Sequence, residues 1–137
     1  MLTTLRGAEA TAFQVLHFQA VKWEPNGEIH ELAPHKGDTV GFVFGINDRG
    51  QAVGTLGTCL TVGLPPVFAN GQHAVLWEPD GTPRYLGTLG DANTTMVNFA
   101  ASINELGEVV GQSQVPVLWT RTGGMRDIGA LPGASPP

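Results

Sequence analysis

Charge is scarce in this sequence, with only 14% of its 137 residues Asp, Glu, Lys or Arg. Basic residues are the fewest, seven in all, scattered at Arg6, Lys22, Lys36, Arg49, Arg84, Arg121 and Arg126. The net charge is −5, and no basic stripe exists to neutralise phosphates, so nucleic acid is excluded as a partner. A single cysteine, Cys59, leaves no intramolecular disulfide and no cysteine-rich zinc site within these residues. No apolar run approaches the roughly eighteen residues that a membrane helix needs, so membrane insertion is not expected. The opening stretch MLTTLRGAEATAFQVLHFQAVKW is interrupted by Glu9, Gln14, His17 and Gln19 and has no signal-peptide core. A leader upstream of it remains compatible with the sequence. Helical periodicity is missing too, and 19 Gly with 10 Pro argue against long helices.

What the chain does have is repetition. Apolar residues make up 42%, enough for a folded core. INDRGQAVG, from Ile46 to Gly54, returns as INELGEVVG, from Ile103 to Gly111. A Trp-centred word precedes each copy: AVKWEPNG from Ala20 to Gly27, and AVLWEPDG from Ala74 to Gly81. A third, PVLWTRTGG from Pro116 to Gly124, follows the second copy. A self-similar unit of this length is the mark of a repeat architecture.

Turn chemistry accounts for the words. In EPNG and EPDG, proline presets φ, and Gly27 and Gly81 close a short hairpin. In the other word, Asn47 and Asn104 suit a side-chain bond to their own backbone two residues on, and Gly50 and Gly107 supply positive φ. Each unit therefore holds two hairpins, with strands expected near 73–78, 83–88, 98–103 and 108–113 in the second. The strands are short and not strictly alternating, as strands covered on both faces are. The fold class expected is all-β, built of four-stranded antiparallel units like the blades of a β-propeller. In such an arrangement Trp23, Trp77 and Trp119 fill the gaps between twisted sheets, and Gly54 and Gly111 allow close backbone approach. The organisation expected is an N-terminal segment or capping strand at 1–19, unit one at 20–72 with an inserted loop at 55–72, unit two at 73–114, and a half unit at 115–137.

These words resemble the HAF repeat, a bacterial family whose units run roughly HAFLW, a hairpin, DLGTLGG, a polar loop, then GINDxGQVVG. HAVLW from His73 to Trp77, LGTLGD from Leu86 to Asp91 and INELGEVVGQS from Ile103 to Ser113 make one full copy. GINDRGQAVG from Gly45 to Gly54 and DIGALPG from Asp127 to Gly133 match parts of others. The resemblance implies an extracellular or surface location and brings no catalytic residues. The first unit departs from it with ELAPHKGD where the family has its LGTLGG-like segment, and residues 1–19 match none of it.

About ten strands at four per blade fall short of the four blades of the smallest common propellers. Three arrangements are compatible with that count: a fragment of a longer repeat protein, a protomer completed by copies of itself, and an open or rearranged sandwich capped by residues 1–19 and the insertion.

Chemistry is thinly supported. His17, His30, His35 and His73 form no metal-binding motif, and His73 belongs to the repeat word. Asp91, Asn93, Thr94 and Thr95 offer calcium one carboxylate without EF-hand spacing. Ser102, Ser113 and Ser135 lack a motif-placed base, and Cys59 has an apolar setting that keeps a thiol inert. Glu24 and Glu78 occupy equivalent hairpin positions, which repetition explains better than catalysis. Phosphate loops are no better supported, because GTLGTC and GTLGDA lack the lysine and the helix. No catalytic residue, cofactor or metal is therefore assigned. The expected function is a non-enzymatic module that presents the variable loops 33–40, 55–72 and 91–98 to a protein or glycan, with LPPVF (Leu64, Pro65, Pro66, Val67 and Phe68) as its contact. The other readings are a purely structural segment of a larger repeat protein and a fragment of a glycan-active enzyme.

Overall fold

The computed structural model describes residues 14–15, 19–35, 37–61, 68–89, 97–129 and 131–133. These residues form strands and no helix, and every strand pair is antiparallel. Each repeated word is a hairpin. The first Trp word joins β2 (Ala20–Trp23) to β3 (Ile29–Leu32), and the first INxxG word joins β4 (Val40–Ile46) to β5 (Ala52–Thr61). The second Trp word joins β6 (Phe68–Trp77) to β7 (Pro83–Tyr85), and the second INxxG word joins β8 (Asn98–Ile103) to β9 (Val109–Ser113). The last Trp word joins β10 (Val115–Thr120) to β11 (Gly124–Asp127). A two-residue β1 (Gln14–Val15) pairs with the far end of β5, at Leu60 and Thr61; the rest of the expected cap lies outside the described residues, apart from Gln19.

The turns use the bonds that their sequences prescribe. Asn47 Oδ1 accepts from the Arg49 and Gln51 amides, and Asn104 Oδ1 from those of Leu106 and Glu108. Gly50 and Gly107 follow at φ of 78° and 77°, a region that costs any residue with a Cβ. In both INxxG hairpins the first strand carries an irregularity, between Val43 and Gly45 and between Ala100 and Ser102. Gly54 and Gly111 face these bulges. A Cβ on either would fall far inside the contact distance of the Phe42 or Phe99 carbonyl oxygen, so only glycine lets the backbones approach so closely.

The phase of the sheets differs from that of the words. Sequence similarity divides the chain before each Trp word, whereas hydrogen bonding joins each INxxG hairpin to the Trp hairpin after it. The middle sheet runs β4-β5-β6-β7, and the last runs β8-β9-β10-β11. The half sheet is therefore β2-β3 at the start, and residues 115–127, part of the half unit expected at 115–137, complete the last sheet. The physical reason is connection length. Ser113 and Val115 face each other across the single residue Gln114, which takes φ of 62°, so β9 and β10 have to pair.

The same register explains the expected insertion. Leu56 opposite His73 in the middle sheet corresponds to Ser113 opposite Val115 in the last. Residues 57–72 stand where the last sheet has Gln114 alone, and they prolong the hairpin rather than form a loop throughout. Strand covers 55–61 and 68–72, leaving 62–67 outside the described residues.

The sheets stack, and each gap is filled from both sides. Ala20 and Leu32 of the first hairpin pack on Ala52, Leu56, Val75 and Trp77 of the middle sheet. Its other face presents Val53, Ala74, Leu76 and Leu86 to Ala100, Val109 and Trp119 of the last sheet. Alternation along β6 sends residues 75 and 77 to one gap and 74 and 76 to the other. The middle sheet is thus buried on both faces, which is why its sequence lacks clean polar alternation.

The close approach at Gly54 gives a direct check. Gly54→Ala is expected to cost about 3 kcal/mol or more in urea unfolding, because backbone carbonyl atoms cannot move aside as a side chain can. Gly27→Ala, which meets nothing within 4 Å, is expected to cost only about 1 kcal/mol for its positive φ. Equal, small costs at the two sites would contradict the packing described.

Candidate binding face

Antiparallel alternation sorts the connections into two sets. The recurring turns at 24–28, 47–51, 78–82, 104–108 and 121–123 all fall at one end of the sheets. The strand ends at Leu32, Val40, Thr61, Phe68, Tyr85 and Asn98, between which the variable segments run in sequence, fall at the other, with Gln114. The two ends differ in chemistry.

At the turn end, the equivalent INxxG turns of neighbouring sheets bond to one another across 57 residues of sequence. Asn47 Nδ2 donates to the Asn104 carbonyl at 3.0 Å, and the Asp48 amide donates to Glu105 Oε1 at 3.0 Å. Lys22 Nζ donates to the Pro79 carbonyl at 2.9 Å and pairs with Glu24 at 2.9 Å. That hydrogen bond from Lys22 lowers the Glu24 carboxyl below its ordinary pKa. Glu78 sits between sheets, 2.6 Å from Arg121 Nη2 and 3.6 Å from Arg84 Nε, and accepts from Gln51 Nε2 at 3.2 Å. Burial pushes the Glu78 carboxyl up, but the bonds from Arg121 and Gln51, with the charges of Arg121 and Arg84, outweigh it and hold it low. A shallow cleft lies beside this end, lined by Lys22, Glu24, His30, Glu31 and the Pro79–Gly81 turn. Glu24 and Glu78 are thus both engaged in ion pairs, each at its own hairpin.

At the loop end, one buried carboxylate organises the connection 33–39. Asp38 Oδ2 lies 3.0 Å from His73 Nδ1 on β6 and accepts from the Tyr85 hydroxyl on β7. That hydroxyl is also 2.7 Å from the His35 carbonyl, so its one proton is shared between two acceptors on the same loop. The Tyr85 ring stacks on His73, centroids 4.8 Å apart at 22°, and meets the edge of His35 at 4.6 Å and 71°. Trp77 Nε1 adds a bond to the Ala33 carbonyl at 3.0 Å. Ala33, His35 and Asp38 are thus each bonded to the middle sheet. Burial, then the hydrogen bond and the negative charge of Asp38, raise the Tyr85 hydroxyl well above the ordinary tyrosine value.

The residues singled out by sequence are distributed unevenly. Asn47, Gly50, Asn104 and Gly107 are turn-end residues. Trp77 is 0% exposed and Trp119 is 6%, both in the gaps between sheets, whereas Trp23 is 61% exposed, against the expectation of a core residue. Its sheet contributes only a hairpin, and no described sheet covers that face. Leu64, Pro65, Pro66 and Val67 lie outside the described residues, and Phe68 is described only as the first residue of β6. The oxygen-rich loop from Gly90 to Thr95 lies outside them too, as do His17 and Ser135. Ser113 is a buried peg: its hydroxyl accepts from the Leu89 amide at 2.9 Å and lies 3.0 Å from Thr88 Oγ1. Among the described residues no three His, Cys, Asp or Glu side chains converge as metal ligands do.

Sequence reasoning passed over Asp38 and Tyr85. The available signals were the departure ELAPHKGD, which holds His35 and Asp38, and the uniqueness of Tyr85 as the only tyrosine. No family model, curated protein or solved structure matches the chain.

Because Tyr85 is the only tyrosine, alkaline titration of tyrosinate absorbance reports on this clamp alone. Tyr85 is expected to stay protonated above the ordinary value of about 10. Asp38→Asn is expected to lower its pKa toward that value without reaching it, since burial remains. By linkage, this group's contribution to stability is complete below the unfolded-state pKa and is lost as pH rises above it, because the unfolded chain ionises first. An ordinary tyrosine titration in the folded wild-type chain would contradict the clamp.

Proposed function

We propose that the chain is a non-enzymatic, β-propeller-like repeat module of HAF type, part of a surface or secreted protein, that presents its variable connections to a protein or glycan. The observation that carries this reading is the segregation of the two ends. The turn end is built from repeated sequence and spends its polar groups on neighbouring turns. The loop end is where the units differ, and it is where the chain clamps connection 33–39 and extends the β5-β6 hairpin.

Both features favour recognition. A clamped loop loses little conformational entropy on binding, so more of its contact energy appears as affinity. LPPVF ends on the first residue of β6 and belongs in sequence to the segment that lengthens the β5-β6 hairpin, and variable loops gathered at one end of a repeat scaffold are the usual site of partner contact. The contact of Asp38 Oδ2 with His73 Nδ1 is accounted for by the holding of the loop, so it lends the enzymatic alternative no support.

The last sheet supplies the design of the test. Replacing residues 57–72 by a single Gln copies the Ser113–Gln114–Val115 connection and removes the projecting hairpin. The intact chain is screened on a glycan array and a displayed peptide library, and the variant is then measured against the ligand selected. The variant is expected to keep its β-sheet circular dichroism and to bind at least about tenfold more weakly, roughly 1.4 kcal/mol. A variant that folds and binds unchanged would contradict the reading, as would an intact chain that selects no ligand.

A further inference from the structure

The two ends of the stack are the two halves of a contact that the chain already makes within itself. In the gap between the middle and last sheets, Val53, Leu76 and Leu86 meet Trp119. The residues equivalent to the first three in the last sheet are Val110, Leu118 and Ile128. The correspondence is fixed by pairing: Val53 faces Leu76 as Val110 faces Leu118, and the Leu86 amide bonds Ala74 as the Ile128 amide bonds Pro116. In the middle sheet these side chains are closed off, with Val53 0% exposed; in the last, Val110 is 43% and Ile128 is 53% exposed.

The opposite end carries the other half. Trp23 pairs with Ile29 across its hairpin as Trp77 pairs with Pro83 across the next, so Trp23 faces away from the stack as Trp77 faces the preceding sheet. Trp23 and Ile29 are both exposed. One end is thus a Trp-bearing face that no sheet among the described residues covers. The other is the valine, leucine and isoleucine face on which such a tryptophan rests.

We propose that these faces dock on each other between copies of this chain, head to tail, with Trp23 of one copy seated among Val110, Leu118 and Ile128 of the next. The contact is heterologous, so it propagates into a closed ring or an open filament according to the rotation per copy. The argument is one of continuity: the same pairing of faces is already made inside the chain, between the middle and last sheets, with tryptophan against branched aliphatic side chains at equivalent positions. It is independent of what the loop end binds.

The experiment is light scattering behind a sizing column, on the wild-type chain and on surface variants. Wild type is expected to elute as a multiple of the 14.4 kDa chain mass. Trp23→Asp and Val110→Glu each leave one end intact, and each alone is expected to be monomeric with unchanged circular dichroism. Mixed in equal amounts, they retain one matched pair of faces and are expected to form a dimer that grows no further. Trp23→Phe is expected to keep the association. Leu106→Asp alters an apolar side chain that is exposed in a turn, off both faces, and is expected to leave the mass unchanged. A monomeric wild type, whether its faces are covered by further repeats or by its own N-terminal residues, would overturn the proposal. So would variants that remain associated, a mixture that stays monomeric, or dissociation by Leu106→Asp.

Discussion

The side chain of Asn47 is the constraint on which the stack depends. An asparagine amide has two donors and two acceptor sites, and here all are used. Its oxygen accepts from the Arg49 and Gln51 amides, which shapes the turn. Its nitrogen donates to Gln51 Oε1 and to the carbonyl of Asn104, which holds the next turn. One buried side chain therefore couples local geometry to the spacing between sheets. Because Asn104 is its own counterpart in the repeat, the requirement on sequence repeats with the structure.

Around that coupling the other interactions fall into layers. The Asp48 amide joins the same two turns through Glu105, and Lys22 on β2 reaches the Pro79 carbonyl in the turn of the next sheet. Tryptophans then close the gaps farther along the sheets: Trp77 on one side of the middle sheet and Trp119 on the other. Hydrogen bonds at the turns set direction and spacing, while burial of the aromatic plates contributes most of the stabilisation. A fully buried large apolar side chain is worth roughly 1.5–3 kcal/mol, against about 1 kcal/mol for a typical net hydrogen bond.

The local structure was legible in the sequence, and the assembly of hairpins into sheets was not. EPNG, EPDG and the two INxxG words prescribe turns through proline, asparagine and glycine chemistry, which is encoded within a few residues. Pairing between hairpins depends on connection length, and the deciding feature was a single residue, Gln114, hidden by comparison with the longer segment 57–72. Sequence similarity finds the period of a repeat without finding its physical boundary. Trp23 shows the same limit from another side: its word is that of a core tryptophan, but burial depends on whether a neighbouring sheet is there to receive it. The Asp38 clamp was illegible because Asp38 lies far in sequence from His73 and Tyr85, and because Val115 and Asp127 stand at the equivalent positions of the last sheet, so neither local pattern nor repetition points to it.

The most direct test of the account is to compare the unfolding free energies of Asn47→Asp and Asn104→Asp. Both substitutions keep the oxygen that shapes the local turn and remove the nitrogen donor. Only at position 47 does that donor reach the next sheet. The account predicts that Asn47→Asp costs about 1–3 kcal/mol more than Asn104→Asp, the range for leaving a buried polar group unsatisfied. Equal costs at the two positions would show that the turns are independent and that the stack is held together by something else.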